Sequence, residues 1–260
     1  LPNTLTLIAQ QLRTSGSVFA EREAELLLAE AKDPGELKSI VERRVAGEPL
    51  EYILGWAEFH GQRFIVTPGV FVPRHRSEFL VDEAAKVTHA GDIVLDLCCG
   101  IGALGIALGV TVGDIRLYAT DSERAAVDCA RQNVRTINGE VYEGDLYASL
   151  PNDLQGHTNI ILANAPYVPT DDISLMPPEA RLYEPLVTLD GGVDGHDIQR
   201  RVIAGAASWL APGGQLFIES SAHQATETAA IMRQAGLVAA IVHDADLEAT
   251  VVVGTLPGQS

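Results

Sequence analysis

The 260 residues are 47% apolar and carry 35 acidic against 18 basic side chains, a net charge of −17. That apolar share fits a folded globular chain and excludes wholesale disorder. The acidity, with no basic stripe, counts against a protein that grips a phosphate backbone, so nucleic acid is a disfavoured partner.

The first 50 or so residues read as short helices. Leu5, Ile8 and Leu12 share one helical face that Gly16 stops. Asp33-Pro34-Gly35-Glu36 has the form of an N-cap, a first-turn proline and a capping-box glutamate. The helix it starts turns Leu37, Ile40, Val41 and Val45 inward and ends at Gly47. Residues 56–72 predict an extended hairpin with Phe59, Phe64 and Val66 apolar and Gly61 near the turn.

From about residue 77 the pattern becomes strand–helix alternation, which predicts a doubly wound, mostly parallel α/β sheet. Ser77 is placed to cap a helix with Leu80, Ala84 and Val87 inward. Ile93–Leu97 reads as a buried parallel strand leading into a glycine turn and a helix. Arg116–Asp121 follows as a strand, then a helix capped by Ser122 with Val127, Ala130, Val134 and Ile137 on one face. Further strands are expected near Val141-Tyr142, Asn159–Leu162 and Gln215–Glu219, and helices near Ile198–Leu210 and Ala225–Ala235. Val238–His243 and Ala249–Thr255 read as a closing hairpin that sets one strand antiparallel.

No run approaches the ~18 apolar residues a membrane helix needs, and no signal-peptide pattern is visible. The three cysteines, Cys98, Cys99 and Cys129, form no C-x-x-C pair. A reduced cytoplasmic setting without membrane contact is therefore expected. The seven histidines are scattered without metal-ligand spacing, and no metal is expected.

Asp96-Leu97-Cys98-Cys99-Gly100-Ile101-Gly102 is a glycine-rich turn after a strand. With Gly105 it also satisfies G-x-G-x-x-G, and Asp121 lies 19 residues after Gly102, so a nicotinamide dinucleotide is one reading. Asp96 argues for another: its charge at the strand end repels a pyrophosphate and favours the cationic amino acid moiety of S-adenosylmethionine. On this reading Asp121 accepts from the ribose hydroxyls and Asp145, after Gly144, meets the adenine region. The flanking Cys98, Cys99, Ile101, Ser122 and Leu146 complete the expected cofactor site. Cysteine disfavours positive φ, so the turn is expected to hold Cys98 at ordinary backbone angles. Both cysteines read as small apolar fillers, a nucleophilic or redox pair being the sharper alternative.

Asn164-Ala165-Pro166-Tyr167 directly follows the apolar run Ile160–Ala163. An amide oxygen and a backbone carbonyl can accept two N–H protons from a planar amino group, and the ring can stack on it. Alone, Asn164 reads first as a turn residue capping the strand end. Joined to the upstream glycine turn, the tetrapeptide predicts methyl transfer to nitrogen, with Asn164 also near the cofactor.

Gly47–Gly55, Pro68–Arg74, the glycine turn, Asn164–Tyr167, Tyr183–Leu186 and Gly191–Gly195 occur in that order. Together they resemble the HemK-like protein-glutamine N5-methyltransferases over roughly residues 40–225. The resemblance implies a seven-stranded class I methyltransferase sheet. It implies an N-terminal helical substrate-recognition domain over 1–55, a β-hairpin linker over 56–76 and the S-adenosylmethionine-dependent domain over 77–260. It also implies a protein substrate, a glutamine of a release factor or ribosomal protein, with Asn164, Ala165, Pro166 and Tyr167 catalytic. Three features depart from the family pattern: Ala165 in place of a proline, the less acidic segment Pro73–Glu78, and a shorter N-terminal part. An adenine-N6 methyltransferase or a silent S-adenosylmethionine-binding protein are the rival readings.

Overall fold

The structure, a computed structural model, describes residues 2–258. Four helices open the chain: α1 (Pro2–Thr14), α2 (Ala20–Glu30), α3 (Pro34–Val45) and α4 (Leu50–Leu54). They enclose their own apolar cluster, with Leu12, Ala24 and Leu27 fully buried. The α3 start is capped as its residues dictate: Asp33 Oδ1 accepts from the Gly35 and Glu36 amides at 2.8 and 2.9 Å. Val45, expected inward, is 41% exposed. Arg44 ties the bundle together and to the rest of the molecule, pairing with Glu23 at 2.8 Å and with Glu179 at 3.4 Å.

Strands β1 (Trp56–Phe59) and β2 (Gln62–Ile65) form a separate antiparallel hairpin. Its two turn residues, His60 and Gly61, both have positive φ (48° and 69°), the twist a two-residue hairpin turn needs.

The main sheet has seven strands in the order β5-β4-β3-β6-β7-β9-β8. These are β3 (Ile93–Leu97), β4 (Arg116–Asp121), β5 (Gly139–Glu143), β6 (Thr158–Ala163), β7 (Leu210–Glu219), β8 (Val238–Asp244) and β9 (Ala249–Thr255). The first five pair in parallel, and β9 enters antiparallel between β7 and β8. Successive residues alternate between two apolar layers, as the pleat requires. Val94, Ile160, Leu162 and Phe217 face α5 (Glu78–Ala85), α6 (Ala103–Val112) and α7 (Arg124–Asn133). Leu95, Ile161, Leu216 and Ile218 face α9 (Asp197–Trp209) and α10 (Ala225–Gln234). The short α8 (Pro178–Tyr183) lies in the segment between β6 and α9.

Two expected helix caps do not form. Ser77 sits at helical angles before α5, where an N-cap needs extended ones, and does not bond the helix amides; its hydroxyl accepts from Asn164 instead. The cap residue of α7 is Glu123, not Ser122, and Asp121 Oδ1 accepts the Glu123 amide at 2.9 Å. Ile137 lies beyond the end of α7, and Val87 beyond α5 is 37% exposed. None of the helices described is long and apolar enough to cross a membrane.

Candidate active site

The strand order reverses between β3 and β6, whose C-terminal ends stand in register: Leu97 is opposite both Thr120 of β4 and Ala163 of β6. The glycine turn and Asn164 therefore emerge side by side at the switch point, where open α/β sheets bind ligands. A cavity opens there, walled by the turn, the ends of β4 and β5, residues 164–168 and the strap of residues 69–77.

At the turn, Cys98 has φ 54°, not the ordinary angle expected of it. Gly100 and Gly102 also have positive φ (55° and 79°), so the chain coils left-handed at three positions to bend from strand to helix. Cys98 is held there by its surroundings at a cost of about 1–2 kcal/mol. Leu146, also in the wall, is another non-glycine with positive φ, 51°. Neither Cys98 nor Cys99 has a partner that would make a thiolate: burial, then nearby carboxylates, push both thiols up. A filler role fits that environment and a nucleophilic one does not.

Asp121 ends β4 with its carboxylate half spoken for. Oδ2 accepts the Gly100 amide at 2.8 Å and Oδ1 the Glu123 amide at 2.9 Å. Each oxygen accepts only one of these bonds and Asp121 lines the cavity, so the carboxylate retains the acceptor capacity that a vicinal diol requires. Burial raises its pKa, against the lowering by those two amides. Asp145 also lines the cavity and is paired with Arg201, which as half of the isolated basic pair Arg200-Arg201 reads in the sequence as a solvated helix face.

Asp96 lies elsewhere than expected. It is fully buried beneath the turn, outside the cavity wall, with Oδ2 accepting the Gly105 amide at 2.9 Å and Oδ1 lacking a hydrogen-bond partner among the described residues. Burial raises it to about 7, the Gly105 amide pulling the other way. Gly102 is likewise behind the wall: a Cβ there would stand 3.1 Å from Ile106 Cδ1, so it serves close packing of α6. All the other expected site residues line the one cavity.

At the nitrogen-accepting end, the Asn164 side-chain nitrogen donates to the buried Ser77 hydroxyl at 3.2 Å. Its Oδ1 has no hydrogen-bond partner among the described residues and is available as an acceptor. The Ala165 carbonyl likewise receives no backbone hydrogen bond among them. The loop backbone is held from behind: Gln224 Nε2 donates to the Tyr167 carbonyl at 2.9 Å and the Gly191 amide to the Val168 carbonyl at 2.8 Å. Gly191 and Gly195 press against this loop so closely that added Cβ atoms would meet Pro166 O at 2.8 Å and Tyr167 O at 2.4 Å. That is the physical reason for the glycine-rich Gly191–Gly195 segment.

Two more residues brace the strap that walls this end. Arg74 contacts both carboxylate oxygens of buried Glu184 at 2.7 Å, and Tyr52 donates to the Val70 carbonyl at 2.7 Å. Glu184 thus anchors the wall instead of facing the reaction.

The methyltransferase small domain family matches residues 61–176. A release factor glutamine methyltransferase of Geobacter sulfurreducens is 35% identical over 78% of this chain and 72% of its own. The chain belongs to the release factor glutamine methyltransferase family. A 4-amino-L-phenylalanine/4-methylamino-L-phenylalanine methyltransferase of Streptomyces pristinaespiralis is 32% identical over 75% of this chain and 69% of its own. Among solved structures, a methyltransferase from Pyrococcus furiosus superposes with a TM-score of 0.56 at 13% identity, covering 85% of this chain and 98% of that one, which shows the shared fold. As a family member the chain is an S-adenosylmethionine-dependent methyltransferase, and the free lone pairs of Asp121 and the open turn at Gly100 suit that methyl donor. The dinucleotide reading is set aside.

Proposed function

We propose that this enzyme methylates the side-chain amide nitrogen of a glutamine in a peptide chain release factor. The observation that carries the reading is the register of Leu97 with Ala163, which sets Asn164 and Ala165 beside the cofactor turn. S-adenosylmethionine supplies an electrophilic methyl on a sulfonium; everything else must come from the chain. Asp121 would hold the ribose hydroxyls, Asp145 and Leu146 would border the adenine, and Cys98, Cys99, Gly100, Ile101 and Ser122 would line the remainder. An amide nitrogen is a poor nucleophile because its lone pair is shared with the carbonyl. Asn164 Oδ1 and the Ala165 carbonyl would orient its two N–H bonds and accept them as positive charge develops on nitrogen; the new N–C bond replaces the methyl–sulfur bond, leaving a neutral thioether, and one N–H proton passes to solvent. Pro166 stiffens the loop, and Tyr167 flanks the amide plane. Substitution of Ala165 for the family proline leaves this carbonyl in place.

Residues 1–55 are assigned to recognition of the protein substrate, 56–76 to a linking hairpin and 77–260 to catalysis. Removing residues 1–50 is then expected to slow the protein reaction more than it weakens cofactor binding. The acidic surface agrees with a cytoplasmic enzyme whose acceptor is protein and not nucleic acid. Incubation of release factors with enzyme and labelled methyl donor, followed by mass spectrometry of the peptides, tests the reading. A single methyl group on a glutamine is the expected result. Label in DNA, RNA or a free aromatic amine, with none in a release factor, would overturn it.

A further inference from the structure

Tyr167 is held by a cluster that neither the tetrapeptide nor the cofactor turn includes. Its hydroxyl accepts from Arg76 Nη2 at 2.8 Å and donates to Glu219 Oε1 at 3.1 Å, while Arg76 Nε reaches the same oxygen at 3.3 Å. The three residues come from separate elements, the strap before α5, the loop after β6 and the last residue of β7, and all line the cavity. Glu219 is buried, and its second oxygen, also buried, has no hydrogen-bond partner among the described residues. A buried carboxylate with one oxygen unpartnered is costly unless a cation stands close. Arg76 is that cation, and through it the carboxylate and the phenol are held as a unit. Burial, then the Glu219 charge, raise the Tyr167 phenol to about 12, against the lowering by Arg76. The phenol stays protonated and can donate to one partner while accepting from the other.

We propose that Arg76 and Glu219 are positioning residues for methyl transfer, clamping the Tyr167 hydroxyl so that its ring stands as a fixed wall of the amide slot. The inference rests on the proposed role of Tyr167 beside the acceptor amide. The Gln224 side-chain amide, bonded to the Tyr167 carbonyl, fixes the start of this side chain, and the clamp fixes its far end. Without it the ring is free to turn about χ1, and the acceptor loses one of the surfaces that align it for in-line attack.

A double-mutant cycle separates a clamp from a general structural role. Arg76→Ala and Tyr167→Phe are each expected to lower kcat roughly tenfold, the scale of one lost charge-assisted hydrogen bond. The KM for S-adenosylmethionine should stay put, and the double mutant should be no slower than the worse single one. Arg76→Lys should recover part of the loss. A substrate-independent signal accompanies it: in protein labelled at tyrosine Cζ, the Tyr167 resonance should move in both Arg76→Ala and Glu219→Gln. Losses that multiply, an Arg76→Ala enzyme with normal kcat, or a Cζ resonance that does not move would overturn the proposal. If release factors prove not to be acceptors while the resonance moves as expected, the substrate reading fails and the clamp stands.

Discussion

The side-chain nitrogen of Asn164 donates to the hydroxyl of Ser77 across 87 residues of chain, at 3.2 Å. This one bond orients the amide so that Oδ1 is left without a hydrogen-bond partner among the described residues. Ser77, well placed in sequence to cap α5, caps nothing because its backbone is already helical. The hydroxyl serves the end of β6, and the first turn of α5 begins from a preceding 3-10 turn instead.

Asn164→Ala should therefore cut kcat by on the order of 10²-fold or more, as for loss of one preorganised polar group at a developing charge. Ser77→Ala should be milder, roughly three- to tenfold, because the acceptor remains and only its orientation loosens. Cofactor affinity should change little in either. Steady-state kinetics with calorimetric cofactor binding checks both; equal effects of the two substitutions would show that Asn164 acts only as a structural residue.

Asp121→Ala is expected to weaken S-adenosylmethionine binding by roughly 1.5–3 kcal/mol, the range for hydrogen bonds to a charged acceptor. Part of that loss comes from the turn, since the Gly100 amide is held by the same carboxylate. Asp121→Asn should retain more affinity than Asp121→Ala. Unchanged calorimetric affinity in the alanine variant would remove Asp121 from the cofactor site.

Asp96 makes a pH-dependent demand on the fold. Its pKa is raised from 3.8 to about 7 by burial, so between those values the native state holds a proton that the unfolded chain has released. Stability contributed at this position therefore falls as pH rises through that window and levels off above it. Asp96→Asn removes the titration. The thermal midpoint of the wild type should lose ground to that of the variant between pH 5 and pH 8. A constant difference across that range would mean that Asp96 is ionised throughout.

Much of this architecture was legible because the sheet is buried. Ile93–Leu97 and Ile160–Ala163 are apolar runs bounded by glycine or proline, and they fold as the central strands β3 and β6. The closing hairpin was readable for a similar reason, two β-branched runs around the acidic turn 244–248. The cavity residues were legible where one loop presents several polar or small groups in a row, as at 98–101 and 164–167. What escaped were contacts between distant segments. Arg76 with Glu219, Arg201 with Asp145 and Arg74 with Glu184 are 143, 56 and 110 residues apart, and no local pattern marks them. The left-handed angle of Cys98 was missed because side-chain preference was set against a turn whose shape is dictated by the strand and helix it joins. Residues 170–188 fold as short turns and α8 without a long apolar period, so periodicity did not register there.

Gly195 has a φ of 75° and contacts so tight that they leave no room for a side chain. A Cβ there would stand 2.4 Å from the Tyr167 carbonyl oxygen and 2.3 Å from Gln224 Nε2. The Gln224 amide is a side-chain end and can swing away, but in doing so it releases the Tyr167 carbonyl that it holds at 2.9 Å. The carbonyl itself is backbone, so the loop carrying Ala165 and Tyr167 must shift. Left-handed strain adds about 1–2 kcal/mol for any residue with a Cβ. Gly195→Ala should therefore lower kcat while cofactor affinity is largely kept, because the glycine turn and Asp121 lie on the other strand ends. Gly213→Ala is the matched control: its φ of 83° carries the same strain, but nothing lies within 4 Å of the added atom. Both variants should lose comparable stability from strain, and only Gly195→Ala should lose turnover beyond it. Equal turnover in the two would mean that the contact between residues 191–195 and the catalytic loop does not set its geometry.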